Sequence, residues 1–210
     1  MQIYDITAEV SQNLPFYSES DPFDMKRVLS MEAGDFCNLT RVTMSLHTGT
    51  HADMPLHFVG GGAGCQDVPL ENFFGKAKLF RLDISPARDV THADLAPLDI
   101  QAGDIILLDT GQSIHMQESN LKKDYKTLTT CAAEYLTQKK IRTIGIDYLS
   151  VDSYNSPDFP VHKILLSSGI TVLEGLVLQG VPAGEYTISA LPLKFKDGDG
   201  SPVRAVLVKY

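Results

Sequence analysis

The chain has 210 residues, a formal net charge of -8, and 43% hydrophobic against 21% charged residues, the balance of a soluble globular protein with a substantial core. That acidic balance, with no basic cluster or aromatic–basic stripe to offset it, excludes nucleic acid as a partner, and no apolar run approaches the roughly 18 residues of a membrane span. Residues 1–210 are expected to form one domain, and Met1-Gln-Ile-Tyr-Asp5 lacks the basic and apolar regions of a signal peptide.

In chain order, residues 3–10 read as a first strand. Residues 13–23 are a loop by their prolines and polar residues, yet they contain Phe16, Tyr17 and Phe23. Aromatics in such a place either plug the core or wall a pocket for a flat substrate. Over residues 38–47 the pattern alternates, with Val42, Met44 and Leu46 expected to face the core and Thr43, Ser45 and His47 the opposite side.

Three of the six histidines, His47, His51 and His57, then fall within eleven residues, with Asp53 among them. Imidazoles with a nearby carboxylate make the mixed nitrogen and oxygen donor set that zinc and related divalent metals prefer. The intervening Thr48-Gly-Thr50 and the following Pro55 argue against a helix. In extended chain His51 and Asp53 would be roughly 7 Å apart, close enough to chelate together, whereas His47 to Asp53 would span about 20 Å. The chain must therefore bend at residues 48–50, which Gly49 permits, before a loop closed by Pro55.

Residues 60–64, Gly-Gly-Gly-Ala-Gly, lack the Lys-Ser or Lys-Thr of a phosphate loop and read as a flexible connection. A helical turn at residues 70–74 and a strand at 76–84 follow. His92 reads as a solvated residue at a helix start and His115 as a surface loop residue. Residues 103–109 form a strand buried on both faces. Leu128, Cys131, Ala132, Tyr135 and Leu136 mark an amphipathic helix with Cys131 in the core, and the strand at 142–147 completes a βαβ unit. Cys37, Cys65 and Cys131 form no Cys-x-x-Cys pair, which points to the cytoplasm.

Pro160 suits the first turn of a helix and places His162 near its N-terminus. Glu174 stands in an otherwise apolar stretch, residues 170–178, where a carboxylate needs a metal or a distant Lys or Arg. Residues 185–195 and 202–210 read as two closing strands, with Lys196-Asp-Gly-Asp-Gly200 as a hairpin turn, since it lacks the remaining ligands of a calcium loop.

The run His47-Thr-Gly-Thr-His-Ala-Asp-Met-Pro-Leu-His57 resembles the His-x-Gly-Thr-His-x-Asp-x-Pro-x-His motif of the cyclase family of metal-dependent hydrolases. Residues 145–152 resemble the family's Gly-Ile-Asp…Ser-x-Asp segment, and residues 191–193 and 202–205 its C-terminal end. His162 and Glu174 stand twelve apart, like the family's later metal ligands. The resemblance implies a mixed, strand-rich α/β fold of the swivelling β/β/α type and a homodimer or larger homo-oligomer. It also implies two divalent metal ions, zinc or, alternatively, manganese. His47, His51 and Asp53 would hold the first, Asp53 and His162 the second, with Glu174 touching one or both and His57 moving a proton. Tyr17 stands where the family's formamidases usually carry a tryptophan against the substrate ring, and this chain has no tryptophan; Phe16 and Phe23 would flank it. The implied reaction is hydrolysis of an aryl formamide, N-formylkynurenine to kynurenine and formate, by a hydroxide bridging the metals. Another amide, a lactam or a cyclic imide is the alternative substrate, and a non-catalytic binding protein on the same scaffold is the reading outside enzymes.

Overall fold

The computed structural model describes residues 1–18, 23–85, 88–118 and 120–210. The chain opens with β1 (Gln2–Asp5), shorter than the strand expected over residues 3–10. The ladder stops there because the next polar groups turn inward, Thr7 donating its hydroxyl to the Ala205 carbonyl at 3.0 Å. Next come β2 (Asp24–Leu29) and β3 (Leu39–Thr43), paired with each other in a separate two-stranded sheet. Here the expectation for residues 38–47 fails. Val42 is 46% exposed, Met44 is exposed as well, and Leu46 is only half-buried. Alternation reports that a strand has an apolar face, not that its own chain covers it.

The remaining strands are β4 (His51–Asp53), β5 (Phe74–Arg81), β6 (Ile105–Asp109), β7 (Thr143–Ile146), β8 (Thr171–Glu174), β9 (Gly184–Ser189), β10 (Gly200–Pro202) and β11 (Val206–Lys209). With β1 they form one nine-stranded sheet in the order β1-β11-β9-β5-β6-β7-β8-β4-β10. The run from β5 to β8 is parallel. Its connections contain the helices α1 (His92–Leu95), α2 (Thr130–Lys139) and α3 (Pro160–Ser167), so the single βαβ unit expected is one of three successive crossovers.

Alternation along β6 divides the core in two. Ile105 and Leu107 join a cluster with Ala52 and Leu173 from one end of the sheet and Ile188 and Leu207 from the other, so the sheet curls to bring its ends together. Ile106 and Leu108 face Leu95, Leu136 and Leu165 of the three helices. This is the strand-rich mixed α/β architecture expected from the sequence. Cys131, expected in the core, is exposed: Thr129 caps α2 by accepting from Ala132 N, and Ala132, Ala133 and Leu136 form its buried stripe.

A further correction concerns residues 196–200. β9 and β11 do pair, Val206 against Ser189, but the chain between them is not a plain hairpin turn. It detours through β10, which runs antiparallel to β4 with Gly200 opposite Asp53.

β4 is thus held on both edges, by β10 and by β8, where His51 faces Glu174. Just outside this ladder, Thr50 Oγ1 donates to the Gly175 carbonyl at 2.6 Å and accepts from Ala8 N at 2.8 Å. Gly175 has φ +67°, and a Cβ there would lie 2.5 Å from the Gly49 carbonyl oxygen. Gly175→Ala should therefore lower stability by about 3 kcal/mol, from left-handed strain plus a backbone clash, read as a reduced urea midpoint.

Candidate metal centre

Alternation places His51 and Asp53 on one face of β4, with Ala52 turned into the core between them. Glu174, the last residue of β8, is brought opposite His51 by the strand register. Pro160 starts α3, as its fixed φ and missing N–H favour, and His162 sits in the first turn. The bend at residues 48–50, with Gly49 at φ +69°, folds His47 back to Asp53, whose Oδ1 is 2.8 Å from His47 Nδ1. All five expected metal ligands converge. Residues 51–53, however, are a strand between two others rather than the loop the prolines and glycine suggested.

The three histidines share one arrangement. His162 Nδ1 donates to Asp152 Oδ2 at 2.7 Å, leaving Nε2 3.2 Å from Asp53 Oδ2 and from Glu174 Oε1. His51 Nδ1 donates to the Gly49 carbonyl at 2.9 Å, leaving Nε2 3.3 Å from Asp53 Oδ1 and 3.5 Å from Glu174 Oε2. His47 Nε2 is 3.2 Å from Asp199 Oδ2, with its Nδ1 on Asp53. Asp152 also accepts from the backbone N–H groups of Val161 and His162, fixing the start of α3.

Asp53 Oδ2 is buried and, among the described residues, has no partner in hydrogen-bonding geometry. Among the described residues three sets of donors have their atoms within 4.8 Å of one another, and two of them share Asp53: His47 with His51 and Asp53, and Asp53 with His162 and Glu174; the third is His47 with His57 and Asp199. A buried carboxylate shared by two such sets, with a spare oxygen, fits a pair of divalent cations well. Glu174 has no Lys or Arg partner among the described residues; it faces the histidines and accepts from Val151 N at 2.7 Å.

Charge follows this geometry. Burial works against an ionised Asp53, but the three histidines outweigh it and hold its carboxyl well below the usual range. Burial likewise opposes a charged His47, yet Asp53 and then Asp199 raise it to about 9. His162 is raised well above its ordinary value by Glu174, Asp152 and Asp53, again against its burial. His57 goes the other way. Burial, with the neighbouring His47 and His162, lowers it to about 4 against the pull of Asp53 and Asp199, so it is a neutral imidazole at pH 7.

The site opens into a cavity of about 300 Å³. His57, at the end of a short 3-10 turn, stacks on His47 with ring centroids 4.0 Å apart and lines this space. Phe16 and Tyr17 form part of the wall, and Tyr17 donates its hydroxyl to the Tyr154 carbonyl at 3.2 Å. Burial, followed by the charge of Glu174, pushes the Tyr17 phenol up to about 12, so it stays neutral. Phe23 does not line the cavity: it packs behind Phe16 at 6.5 Å, one layer out. His115 lies away from the site and pairs with Glu118 at 3.0 Å. The sequence reading missed Phe58 and Phe159, which close the aromatic wall 5.3 Å from each other, and it missed Asp199. The available signal was Gly198-Asp-Gly200, an acid flanked by residues that permit close backbone approach.

Comparison with known proteins gives the chain a family and a fold. The model of the family described as putative cyclase matches residues 4–153. A kynurenine formamidase of Bacillus cereus is 34% identical over 203 residues, covering 97% of this chain and 95% of its own. A solved structure described as a potential metal-dependent hydrolase with cyclase activity is 38% identical, covers 98% of this chain and 96% of its own, and superposes with a TM-score of 0.85. An isatin hydrolase bound to the product analogue thioisatinate, 22% identical and covering 100% of this chain and 93% of its own, shares the fold at a TM-score of 0.87.

Because His47 and His162 hold protons in the metal-free protein, a cation must displace them. Loading zinc or manganese at pH 7 should release about two protons per chain, read by calorimetry in buffers of different ionisation enthalpy. Apparent affinity should rise with pH toward about 9, where His47 loses its proton unaided.

Proposed function

This chain belongs to the putative cyclase family, and from that premise we propose that it is a metal-dependent amidohydrolase that converts N-formylkynurenine to kynurenine and formate. The observation that carries the reading is the pair of donor sets sharing Asp53, opening beside a neutral His57 into an aromatic-walled cavity.

His47, His51 and Asp53 would hold one divalent cation, and Asp53, His162 and Glu174 the second. Such a pair, zinc or manganese by its nitrogen and oxygen donors, supplies when bound the positive charge that activates water and stabilises developing negative charge at a carbonyl oxygen. Phe16, Tyr17, Phe58 and Phe159 give the flat aryl group apolar faces and leave the formyl end toward the donors. His57, neutral at pH 7, accepts a proton from the attacking water and returns it to the departing aromatic amine. Partial closure by the aromatic wall limits access of bulk water to that transfer.

A second substrate reading is favoured by Tyr17, whose hydroxyl is committed to the Tyr154 carbonyl and whose ring is smaller than the tryptophan expected of a formamidase at this place. On that reading the same centre opens another amide, a lactam or a cyclic imide. We place the enzyme in the cytoplasm, a reading supported by its three unpaired cysteines. We also propose a homodimer. Its support is the β2–β3 hairpin, which exposes Met25, Val42 and Met44 on one side, an apolar face that a second copy would cover.

Rapid formate release from N-formylkynurenine by protein containing about two metals per chain is expected. Turnover of other aryl amides alone would favour the second reading, and absence of bound metal would sink both. His57→Ala should keep the metals and lose about 10²- to 10⁴-fold in kcat, and a near-native rate would remove His57 from the mechanism. Sedimentation should give twice the chain mass for the native protein and a shift toward the monomer for Val42→Glu. A native monomer would refute the dimer.

A further inference from the structure

We infer that Asp199 is a positioning residue of the centre: its carboxylate holds Nε2 of His47, so that Nδ1 of that ring is presented to Asp53. The inference rests on the metal-binding reading above, and it adds a residue that neither the motif nor the donor sets around Asp53 include.

The pattern of the other two histidines carries the argument. Each turns one nitrogen toward Asp53 and anchors the other on an acceptor outside the donor set, Asp152 for His162 and the Gly49 carbonyl for His51. Such outer partners fix ring orientation and tautomer and strengthen the ligand nitrogen. His47 has the same two-sided arrangement only if Asp199 Oδ2, 3.2 Å from its Nε2, is the anchor.

The backbone around Asp199 is built to place it there. Its carbonyl accepts from Met54 N at 3.0 Å, and the preceding Gly198 carbonyl accepts from Cys65 N at 3.0 Å. The following residue must be glycine, because a Cβ at position 200 would lie 2.6 Å from His47 Cε1 and 3.0 Å from both ring nitrogens. β10 therefore passes directly beside the His47 ring, and pairing of Gly200 with Asp53 fixes the register that brings Asp199 to Nε2. The same oxygen lies 3.5 Å from His57 Nδ1, so one carboxylate contacts both stacked rings.

The test compares the native chain with Asp199→Asn, close to it in shape, and Asp199→Ala, with folding checked by circular dichroism. Zinc and manganese affinity is measured by competition with a chromogenic chelator, and stoichiometry by elemental analysis. The expected result is native stoichiometry with affinity weakened about 10- to 100-fold, more for Ala than for Asn. On N-formylkynurenine kcat should fall while KM stays unchanged. If Asp199→Ala does not fold, Asp199→Asn decides alone. Native affinity and kcat in the folded variants would overturn the inference while leaving the proposed function standing. Loss of one whole metal equivalent would also overturn it, making Asp199 a ligand in a group with His47 and His57. A native chain that binds neither metal would instead refute the functional reading, and this inference with it.

Discussion

Asp53 has no solvent exposure, and much of the architecture answers what a buried carboxylate requires. Removing such a group from water costs several kcal/mol or more, so it must be neutralised, surrounded by donors or bound to a cation. The chain surrounds it with His47, His51 and His162, drawn from a bend, a strand and a helix. Asp53 and its neighbouring acids raise His47 and His162 above the ordinary imidazole range, so these two rings carry compensating positive charge beside it. The protein can therefore keep Asp53 buried, which makes a preformed centre compatible with a stable fold.

Convergence depends on the crossed order of the sheet. β4 contributes only His51-Ala52-Asp53, yet it is paired on one side by β8 and on the other by β10, from residues more than a hundred positions away. Each neighbour delivers a carboxylate, Glu174 at the end of β8 and Asp199 at the entrance to β10. The glycines at 175 and 200 stand where backbone passes backbone or ring too closely for a Cβ, and Gly49 supplies the positive φ of the bend. Residues 147–152, which follow β7, supply support around the donors. Asp147 is buried and accepts from Thr110, Gln112 and Ser113, and Asp152 anchors His162.

The aromatic wall and the hairpin arm show a different economy. Phe16 and Tyr17 come from a loop, Phe58 from the end of the histidine run and Phe159 from the residue before α3. None belongs to the sheet that positions His51, Asp53 and Glu174, so the wall is carried by loops and the donors by a paired strand framework. The β2–β3 arm lies outside the three buried clusters, and its apolar face is exposed in the single chain.

Local chemistry made several features legible from the sequence. The buried strand at residues 105–109, the helix opened by Pro160, the bend at Gly49 and the clustered His47, His51, Asp53 and His57 each follow from residue type and spacing over a few positions. Other features could only be decided in three dimensions. Alternation in residues 38–47 was real, but which surface it faces depends on where the hairpin goes. Cys131 lies on an apolar stripe by spacing and in solvent by the phase that Thr129 imposes on α2. Lys196-Asp-Gly-Asp-Gly200 satisfies every local criterion for a turn, and only its pairing with β4 makes Asp199 a neighbour of His47. Local propensity acts within a few residues, whereas a strand's partner is chosen by the packing of the whole sheet, and that choice completes the site around Asp53.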